Sequence, residues 1–428
     1  LHKFMRKIID FHIHSKYSRA TSKNFDLEEM YKWSKIKGVD IISAADFTHP
    51  GWFKILEQNL VEYQPGAGLY YYKNRNKDVL FIISTEISCI YGQSDKTRRV
   101  HLCLLAPNLQ VAKKINENLS ARGAKLASDG RPILGMSAKN ILEMILEIDE
   151  RIMLIPAHAW TPWFAVFGSK SGFDSLEECF EDLTPYVRAI ETGLSSDPLM
   201  NWRLSGLDDI TLVSNSDAHS GPRIGREANV LDLRDVTFDE IREIINTQDK
   251  KRFLYTVEFY PEEGMYHFDG HRDCQFNCSP QESAKKYKNI CPLCKKPLTL
   301  GVLNQVEKLA DRTEQKISTI GHIPYKNVVP LPEIIADYFG VNRNSKKVEK
   351  LYLEIIAQAG NEFVVTLDLN EEELKKIMPT SLALGIMKMR AREMQVLPGF
   401  DGQYGQIKIF SELDRQKAKI IVPQETLF

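Results

Sequence analysis

Short apolar, β-rich runs alternate with segments of helical periodicity over the first 245 residues, and this alternation constrains the fold most strongly. One unit consists of the runs KIIDFHI and VDIISAA with DLEEMYKWSKIKG between them, where Asp26 is a candidate N-cap and Gly38 a candidate helix stop. About seven such runs, separated by helical segments, are typical of a parallel α/β barrel or a doubly wound sheet. We therefore predict an α/β fold for this part of the chain.

Histidines and acids cluster at the ends of these runs. Six of the seven histidines in the first 257 residues lie there, namely His12, His14, His49, His101, His158 and His219, and the accompanying acids are Asp10, Asp46, Glu86 and Asp217. The carboxyl ends of parallel strands meet on one face, so these side chains are expected to be neighbours. Imidazoles and carboxylates without thiolates suit zinc, manganese or iron in a catalytic site. Several such ions together favour hydrolysis of a phosphate ester.

The order of these residues is similar to that of a known superfamily. HxH, then Asp with His, Glu, His, His and finally DxH resembles the PHP (polymerase and histidinol phosphatase) superfamily of trinuclear metallophosphoesterases, which implies a distorted (β/α)7 barrel. Within this superfamily, the chain resembles the endonuclease Q family in four sequence segments, DFHIHSKYSRATSKNF, AADFTHPGWF, PAHAWTPWFAVFGSKSGFDS and SNSDAHS. This resemblance implies an endonuclease for damaged DNA, single- or double-stranded. Such an enzyme nicks on the 5′ side of uracil, hypoxanthine, xanthine and abasic sites.

The resemblance also implies a set of metal ligands. His12, His14 and Asp217 are expected to hold one metal, and Glu86 to bridge to a second ion that is held by His101 and His158. His219 is assigned to a third site, which His49, together with Asp46, is expected to complete. Zinc is expected here, with magnesium or manganese as alternatives.

Arginines and one further acid near the ligands are candidate supporting residues. Arg19 stands where the superfamily has an aspartate ligand, and because a guanidinium cannot replace that ligand, we expect it to meet a phosphate oxygen. Arg223 and Arg226 follow the last metal motif and could clamp the phosphate, or could pair with Glu227 or solvent. Glu191, at another run end, is either a support for a histidine ligand or a structural acid.

The insertion after His158 is a candidate base-binding loop. An enzyme that selects a modified base must hold it between aromatic faces and read its edge with hydrogen bonds. Aromatic clusters are more often core, but the position of this one after a predicted ligand favours a pocket. The residues assigned to it are Trp163, Phe164, Phe167, Gly168, Ser169, Lys170 and Ser171, of which the last four offer amides and hydroxyls.

Four cysteines form a separate, strong signal. Their spacing, Cys274-x3-Cys278-x12-Cys291-x2-Cys294, predicts a closed structural zinc site with four thiolates, whereas disulfides would be unusual in a cytoplasmic chain. The remaining cysteines, Cys89, Cys103 and Cys179, are predicted to be small buried apolar residues.

A cationic strip accompanies the cysteines. The stretch from Ser283 to Val306 has five lysines and no acid, and Lys295 and Lys296 are its candidates for contact with the DNA backbone. A solvated surface is the alternative, since the net charge of the whole chain is −1 and gives no general argument for a polyanionic partner. The glycine-rich PGFDGQYG segment (398–405) is a further hypothesis for phosphate approach.

The changes in composition predict three domains. Residues 1–257 would form the catalytic PHP barrel, 258–300 the zinc-binding module, and 301–428 a mainly helical DNA-binding domain. No run of 18 or more apolar residues exists, and the first residues do not resemble a signal peptide, so we expect a cytoplasmic protein without a membrane partner. The final QETLF suggests a contact with a replication or repair protein.

Two other functions are compatible with these motifs. One is a PHP-type phosphatase or exonuclease, although a small-molecule phosphatase does not need the cysteine module and the extra helices. The other is a non-catalytic DNA-binding scaffold, which the near-complete ligand set argues against.

Overall fold

The computed structural model describes residues 4–317 and 321–415. The QETLF segment, and with it the predicted contact with a repair protein, lies outside the described residues.

The described chain combines strands and helices along most of its length. The strands are β1 (Met5–Asp10), β2 (Ile41–Ser43), β3 (Leu60–Glu62), β4 (Leu69–Tyr72), β5 (Leu80–Gln93), β6 (Lys96–Ala106), β7 (Ile133–Leu134), β8 (Met153–Pro156), β9 (Ala189–Glu191), β10 (Thr211–Val213), β11 (Ala228–Leu233), β12 (Phe253–Glu258), β13 (Asp269–His271), β14 (Phe276–Cys278), β15 (Tyr325–Asn327), β16 (Gln395–Leu397) and β17 (Gln406–Lys408). The helices are α1 (Leu27–Lys37), α2 (Pro50–Asn59), α3 (Leu109–Ala121), α4 (Ala138–Ile148), α5 (Leu176–Phe180), α6 (Pro198–Asn201), α7 (Phe238–Asn246), α8 (Pro280–Glu282), α9 (Val302–Leu309), α10 (Leu331–Phe339), α11 (Lys346–Ala359), α12 (Glu371–Ile377) and α13 (Thr380–Arg390).

The first helix shows how local sequence sets these elements. Asp26 caps α1 by accepting a hydrogen bond from the Glu29 amide, and Gly38 ends it in the left-handed conformation at φ 88°. Leu27, Met30 and Tyr31 form the buried face. The predicted cap, stop and apolar face of this helix are all confirmed.

One large sheet carries the functional side chains. Its order is β15-β12-β11-β1-β2-β5-β4-β3, and β6 pairs with both β5 and β8. β1, β2 and β5 are parallel neighbours, with Ile9 opposite Ile41 and Ile42 opposite Phe81. Parallel pairing places the carboxyl ends of these strands at one edge, which is where the predicted ligand motifs begin.

Both faces of this sheet are covered. Ile8 and Ile42 belong to one apolar cluster, with α3 and α4, while Ile9 and Ile41 belong to a second cluster, with α7. Because neighbouring residues of a strand point to opposite faces, strands that are covered on both sides must be apolar throughout. This explains the continuous apolar runs in the sequence.

A separate parallel pair, β9 and β10, lies next to the large sheet. The Ala159 amide, just after β8, donates to the Glu191 carbonyl of β9 (2.9 Å), and the Phe11 amide, just after β1, donates to Oδ1 of Asn215, just after β10 (2.9 Å). In the described residues no ladder joins β8 to β9 or β10 to β1, so full closure of a barrel stays a prediction.

The later part of the chain has a cysteine-rich hairpin, β13 and β14, followed by helices α9 to α13. The mixed α/β fold, the cysteine cluster and the helical C-terminal region are therefore confirmed. β15 adds a parallel strand next to β12, with Tyr325 opposite Thr256, so the chain returns to the large sheet beyond the predicted boundary at 300. The division into three domains stays a prediction. Within 4–317 and 321–415, no helix is both long and apolar enough to cross a bilayer.

Candidate metal centre

Four of the predicted ligands converge at the carboxyl edge of the sheet. One ligand atom from each of His12, His14, Glu86 and Asp217 lies within 4.8 Å of the others. Nε2 of His14 is 3.1 Å from Oε2 of Glu86 and 3.1 Å from Oδ1 of Asp217. The two histidines follow β1, Glu86 lies in β5, and Asp217 follows β10.

The atoms at the centre of this group fit a bound cation. Nε2 of His12, Nε2 of His14 and Oδ1 of Asp217 are buried and have no hydrogen-bond partner in the described structure. A buried polar atom that is left unpaired costs about 1–3 kcal/mol, and a cation placed between these three atoms would satisfy all of them. Imidazole nitrogens and carboxylate oxygens are donors that zinc and manganese accept.

A second group shares Glu86 with the first. Oε1 of Glu86 is 2.6 Å from Nδ1 of His101 and 3.2 Å from Nε2 of His158. Oε2 of Glu86 faces the first group and Oε1 faces the second, so the two groups share this carboxylate. Burial lowers the pKa of His101 to about 4, so its ring is neutral at pH 7, which is the form that binds metal.

Two outer carboxylates orient the first pair of histidines. Nδ1 of His12 lies 3.0 Å from Oε1 of Glu191, and Nδ1 of His14 lies 3.2 Å from Oδ1 of Asp46. A carboxylate on one ring nitrogen fixes the tautomer and turns the other nitrogen toward a metal. Glu191 therefore supports a predicted ligand. The Cys103 thiol lies behind His12 and Glu191, and the group is fully buried.

The backbone is unusual at three of these residues. Asp46, His158 and Asp217 have positive φ angles of 38°, 32° and 46°. Non-glycine residues rarely adopt such angles, and the cost is commonly retained where side chains must be aimed at a functional site. These turns let short loops after the strands direct the side chains inward.

The predicted third site is not assembled, and Asp46 is the first reason. Its Oδ2 accepts hydrogen bonds from the Ser15 amide (2.6 Å), the Ser15 hydroxyl (2.7 Å) and the Ser18 hydroxyl (2.9 Å), while Oδ1 faces His14. The carboxylate is fully engaged with neighbouring protein groups. Asp46 thus positions His14 and is not placed as a metal ligand.

The prediction for His49 is corrected by the structure. Its Nδ1 caps the start of α2 by accepting from the amides of Gly51 (3.2 Å) and Trp52 (3.4 Å), and its ring packs at a tilt against Tyr17 with centroids 4.4 Å apart. Because Nδ1 accepts these hydrogen bonds, the proton of the neutral ring lies on Nε2, so neither nitrogen offers a free lone pair to a metal. His49 belongs to none of the candidate metal groups in the described chain.

Arg19 and His219 complete this correction. Arg19 is 84% exposed in its side chain and pairs with Asp129 (3.2 Å) instead of a proposed ligand, so its predicted catalytic role is not supported. His219 stays near the centre, with its ring 4.4 Å from that of His14, but its Nδ1 contacts the Asp217 carbonyl oxygen (2.9 Å). Of the residues predicted for the third site, His219 is the one whose ring borders the centre and is not used to cap a helix or to orient another ligand.

The two arginines after the last motif have different positions. Arg226 donates from Nε to the Ser216 carbonyl (2.8 Å), which holds the backbone next to Asp217. Arg223 lines a cleft beside the metal centre, with its Nη1 3.6 Å from Glu333 of α10. In the described structure, neither arginine forms an ion pair with Glu227. Arg223 is placed to reach a bound phosphate, whereas Arg226 positions the ligand loop.

The cleft beside the centre has a volume of about 780 Å³ and opens onto Asp217 and His219. Its aromatic lining is Trp163, Tyr266, Phe259 and Tyr404. Trp163 is 42% exposed and Tyr404 is 75% exposed, so both present their rings to an incoming group. Tyr404 comes from the PGFDGQYG segment, which therefore contributes a side chain to the cleft.

The predicted base-binding loop is only partly exposed to this cleft. Phe167 is buried against Trp160 with centroids 4.8 Å apart, and it belongs to the core. Phe164 packs on His101 (4.7 Å). Trp163 is the aromatic residue of the loop that remains available to a substrate, so the assignments of Phe167 and Phe164 to a base pocket are not supported.

The amides of the same loop are used internally. Gly168 donates to Ala165, Lys170 to Pro162 and Ser171 to Gly168, while the Ser171 hydroxyl is buried between Phe164 and Arg99. A donor that is already paired cannot read a base edge without breaking its own bond. Gly168 and Ser171 thus shape the loop. Ser169 and the Lys170 side chain are exposed, and they line a second groove.

This second groove is polar and cationic, with a volume of about 870 Å³. Lys96, Arg99, Lys170 and Lys308 line it, and Trp163 stands at its boundary with the cleft. The groove therefore leads from a cationic surface to the metal centre.

The cysteine module has a changed ligand set. His271, Cys274, Cys291 and Cys294 bring their ligand atoms within 4.8 Å of one another, with Nδ1 of His271 3.8 Å from Sγ of Cys294. Cys278 is outside this group and packs with Leu298. The predicted set of four cysteines is therefore corrected to three cysteines and one histidine.

The lysines near this module are on the surface. Lys295 and Lys296 are exposed, as are Lys285, Lys286 and Lys288, so a contact with DNA is sterically open to them. The isolated Cys89, Cys103 and Cys179 are buried, as predicted.

Two residues of these sites were missed from the sequence. His271 stands three residues before Cys274, and this His-x2-Cys pattern mirrors Cys291-x2-Cys294, which was a usable signal. Arg131 lies in a loop before β7 and donates to Glu86 (2.9 Å). No motif marks Arg131, because its position depends on how that loop folds back over the sheet edge.

Known proteins resemble parts or all of this chain. The family model described as the MJ0043 C-terminal domain matches residues 330–393, which contain α10 to α13. The chain is 32% identical over 261 residues to the uncharacterized protein MJ0043 of Methanocaldococcus jannaschii, covering 58% of this chain and 31% of that protein. It is thus similar to about a third of MJ0043. It is also 27% identical over 423 residues to the uncharacterized protein YqxK of Bacillus subtilis, covering 94% of this chain and 100% of YqxK.

Two solved structures match nearly the whole fold. One is the lesion-specific endonuclease PfuEndoQ of Pyrococcus furiosus, with a TM-score of 0.84, 30% identity and 96% coverage of both chains. The other is endonuclease Q in complex with a 27-mer duplex substrate that has an abasic lesion at the active site. Its TM-score is 0.82 at 30% identity, covering 96% of this chain and 98% of that one.

Proposed function

The chain belongs to the endonuclease Q family, and we propose that it is a metal-dependent DNA repair endonuclease that hydrolyses the phosphodiester on the 5′ side of a damaged nucleotide. The proposed lesions are abasic sites and the deaminated bases uracil, hypoxanthine and xanthine. The proposed products are a 3′-hydroxyl and a 5′-phosphate, formed when water adds to phosphorus and the 3′-oxygen leaves with a proton.

The observation that carries this proposal is the convergence of unpaired ligand atoms beside an open aromatic cleft. Nε2 of His12, Nε2 of His14 and Oδ1 of Asp217 face one another, and Asp217 borders the cleft. A substrate in the cleft therefore lies next to the proposed metals. We propose that zinc, manganese or magnesium occupies the centre, where such ions would supply an activated water and neutralise charge on the phosphate.

The protein's own residues orient the proposed metal ligands and the phosphate. Glu191 and Asp46 hold the rings of His12 and His14, and Arg226 holds the backbone that presents Asp217. Arg223 at the cleft is proposed to meet a phosphate oxygen, since a guanidinium suits phosphate geometry. These supports fix the ligand positions before the substrate arrives.

We propose that the damaged nucleotide is extruded into the cleft between Trp163 and Tyr404. Base flipping requires an aromatic surface to replace the stack that the base leaves, and both rings are exposed beside the metal centre. The ring of Trp163 meets that of Tyr266 edge-on at 6.0 Å, which supports its orientation. This assignment keeps Trp163 of the predicted loop residues and leaves out the buried Phe167.

Substitution of Trp163 by alanine tests this assignment. Stacking on an aromatic ring contributes about 1–3 kcal/mol per base, so cleavage at uracil should fall by about tenfold or more. Cleavage at an abasic site should change much less, because no base is there to stack. The readout is the single-turnover rate on two duplexes that differ only in the lesion.

Tyr186 provides a matched control for Trp163→Ala. It is an aromatic residue that is 56% exposed and lines a different cavity, so Tyr186→Ala should leave both rates unchanged. Equal losses of Trp163→Ala on the uracil and abasic duplexes would argue against a stacking role.

The DNA backbone is proposed to follow the cationic groove and the lysine strip. The groove presents Lys96, Arg99 and Lys170, and Lys295 and Lys296 are exposed near the cysteine group. Such contacts to phosphate are independent of sequence and weaken as salt rises. The zinc in the cysteine group, a cytoplasmic location and a replication or repair partner also remain proposals.

One assay separates the proposed endonuclease from its alternatives. The protein is incubated with manganese or magnesium and an end-labelled duplex that contains a single uracil or abasic site, with an undamaged duplex as control. A nick just 5′ of the lesion is expected. Shortening from the ends would indicate an exonuclease, and binding without cleavage a scaffold.

A further inference from the structure

We propose that Arg131 contacts the scissile phosphate and supplies the positive charge that a third metal ion would otherwise bring to this side of the centre. The inference rests on the proposed function. It is carried by the position of the loop that bears Arg131 and by the engagement of the groups that a third ion would need.

The loop is fixed at the edge of the metal centre by its glycine. The Gly130 amide donates to the Tyr17 carbonyl (3.0 Å), and the Thr48 hydroxyl donates to the Gly130 carbonyl (3.2 Å). A methyl group on Gly130 would overlap the Ser18 hydroxyl and lie 2.5 Å from Oδ2 of Asp46. The loop therefore packs directly on the two motifs from which a third site was expected.

Asp129 gives this loop its shape. Its Oδ1 accepts from the Arg131 amide (3.0 Å), and its Oδ2 pairs with the Arg19 guanidinium (3.2 Å). Arg19 stands in the position of a superfamily aspartate, and its observed partner lies two residues before Arg131. The departure at Arg19 and the placement of Arg131 thus belong to one structural unit.

Arg131 reaches the metal ligands directly. Its Nη1 lies 2.9 Å from Oε2 of Glu86, the oxygen that also faces His14. Among the described lysines and arginines, it is the one whose side chain forms an ion pair with a proposed metal ligand. The side chain is 26% exposed, so it retains access to an entering substrate.

The groups that would hold a third ion are engaged elsewhere. Asp46 is saturated by Ser15, Ser18 and His14, and His49 caps α2. A cation on this side is still useful, because negative charge grows on the phosphate oxygens as the bond breaks. A guanidinium is always charged, and its planar N–H groups match two phosphate oxygens at once. Arg131 meets this requirement without any additional metal ligand.

Metal content tests the inference independently of cleavage. Mass spectrometry of the intact, metal-saturated protein is expected to give about three ions per chain, two for the histidine and carboxylate centre and one for the cysteine group. A wild-type protein with a third ion in the histidine and carboxylate centre would overturn the inference.

Kinetics of Arg131 variants test the contact itself. Arg131→Ala should lower the single-turnover cleavage rate at an abasic site by about 100-fold, as expected for loss of one transition-state contact, while DNA affinity changes little. Arg131→Lys should be intermediate, because it keeps the charge but not the planar fork. Guanidinium at non-denaturing concentrations should partly restore Arg131→Ala, which a purely structural role would not allow.

Arg252→Ala is the matched control. Arg252 is 18% exposed and forms an ion pair with Glu240 at 3.1 Å, away from the metal centre, so cleavage should be unchanged. A wild-type rate for Arg131→Ala, or an equal loss in Arg252→Ala, would overturn the inference and leave the proposed function intact. Failure of the wild-type protein to cut any lesion duplex would instead contradict the proposed function and this inference with it.

Discussion

At the scale of single residues, the partner of the second ring nitrogen decides what a strand-end histidine can do. His12 and His14 each have a carboxylate on Nδ1, from Glu191 and Asp46, and this leaves Nε2 free and aimed at the centre. His49 also follows a strand, but its Nδ1 caps a helix. A carboxylate takes the proton of Nδ1 in a hydrogen bond and leaves a lone pair on Nε2, whereas an Nδ1 that accepts from amides leaves the ring proton on Nε2. This difference separates a proposed ligand from a structural residue.

The cysteine group offers a test at the same scale. His271→Ala should lower zinc occupancy, because a structural zinc site needs four ligands and His271 lies beside Cys294. Cys278→Ser should keep about one zinc per chain in this group, because Cys278 lies outside it. Elemental analysis of the two purified variants gives the comparison. Full zinc loss in Cys278→Ser with full occupancy in His271→Ala would restore the four-cysteine assignment.

Sequence reasoning reached some of these residues and not others for a physical reason. His12, His14, Glu86, His101, His158 and Asp217 were predicted to converge, and they do. Their placement follows from the strands, whose ends are fixed by the sheet. The sequence predicts Phe167 and Ser171 in a substrate pocket, but the loop turns them inward through internal hydrogen bonds that composition does not reveal.

At the scale of elements, β11 and β12 bury a pair of acids near the metal centre. Glu227 comes just before β11, and Glu258 ends β12; both are fully buried. Burial, together with the charge of the other carboxylate, raises the pKa of Glu227, and burial raises the pKa of Glu258. The Thr192 hydroxyl donates a hydrogen bond to Oε2 of Glu258 (2.9 Å). Burial outweighs this hydrogen bond, which favours the ionised form, and raises the pKa of Glu258 to about 8, so its protonated form is favoured at neutral pH.

This pair predicts a pH dependence of stability. A carboxyl with a raised folded pKa contributes stability that is fully present below about pH 4.5 and is lost as pH rises through the raised value. The free energy of unfolding should fall by about 1.4 kcal/mol per pH unit for each such group in this range. Urea unfolding between about pH 5 and about pH 8 should show a smaller fall in Glu258→Gln, which cannot ionise.

Exposed Glu57 serves as the control, because Glu57→Gln should keep the pH dependence of the wild-type protein. If the free energy of unfolding fell equally with rising pH in Glu258→Gln and in wild type, ionisation of Glu258 would be excluded as the cause of the fall.

The alternation of strands and helices was predictable at this scale, whereas the loops between them were not. α1 and its caps follow from local sequence, and so do the apolar strands. The segment that brings Arg131 onto Glu86 depends on contacts of Gly130 with Tyr17 and Thr48. Both residues are more than eighty positions away along the chain. Such long-range packing leaves no periodic signal.

At the scale of the whole molecule, the helical C-terminal region is joined to the first helix by a buried ion pair. Nζ of Lys37, the last residue of α1, lies 2.6 Å from Oε2 of Glu362, and both side chains are nearly inaccessible. Glu362 also accepts from the Tyr352 hydroxyl (2.7 Å) and the Leu331 amide (3.0 Å). The region that supplies the matched family domain is therefore anchored to the part that holds the metal centre.

Removal of one partner of the Lys37–Glu362 ion pair tests how much this link stabilises the fold. Glu362→Ala leaves Lys37 buried without a counter-charge and should cost about 3–5 kcal/mol in the free energy of unfolding. Asp368→Ala breaks a similar link, Arg6 to Asp368 at 2.9 Å, but both side chains are more than a third exposed, so its cost should be below about 1 kcal/mol. Urea unfolding of both variants gives the comparison. Equal costs would show that burial of the Lys37 pair does not matter.

The central claim is that the converging histidines and carboxylates form the centre that cuts lesion-containing DNA. Substitution of Asp217 by asparagine tests it most directly, because Oδ1 of Asp217 lies 3.1 Å from Nε2 of His14 and the amide removes the charge while keeping the shape. With manganese and a duplex that contains one abasic site, we predict that Asp217→Asn binds the DNA as wild type does but does not cut it. Cleavage by Asp217→Asn at the wild-type rate would contradict the account.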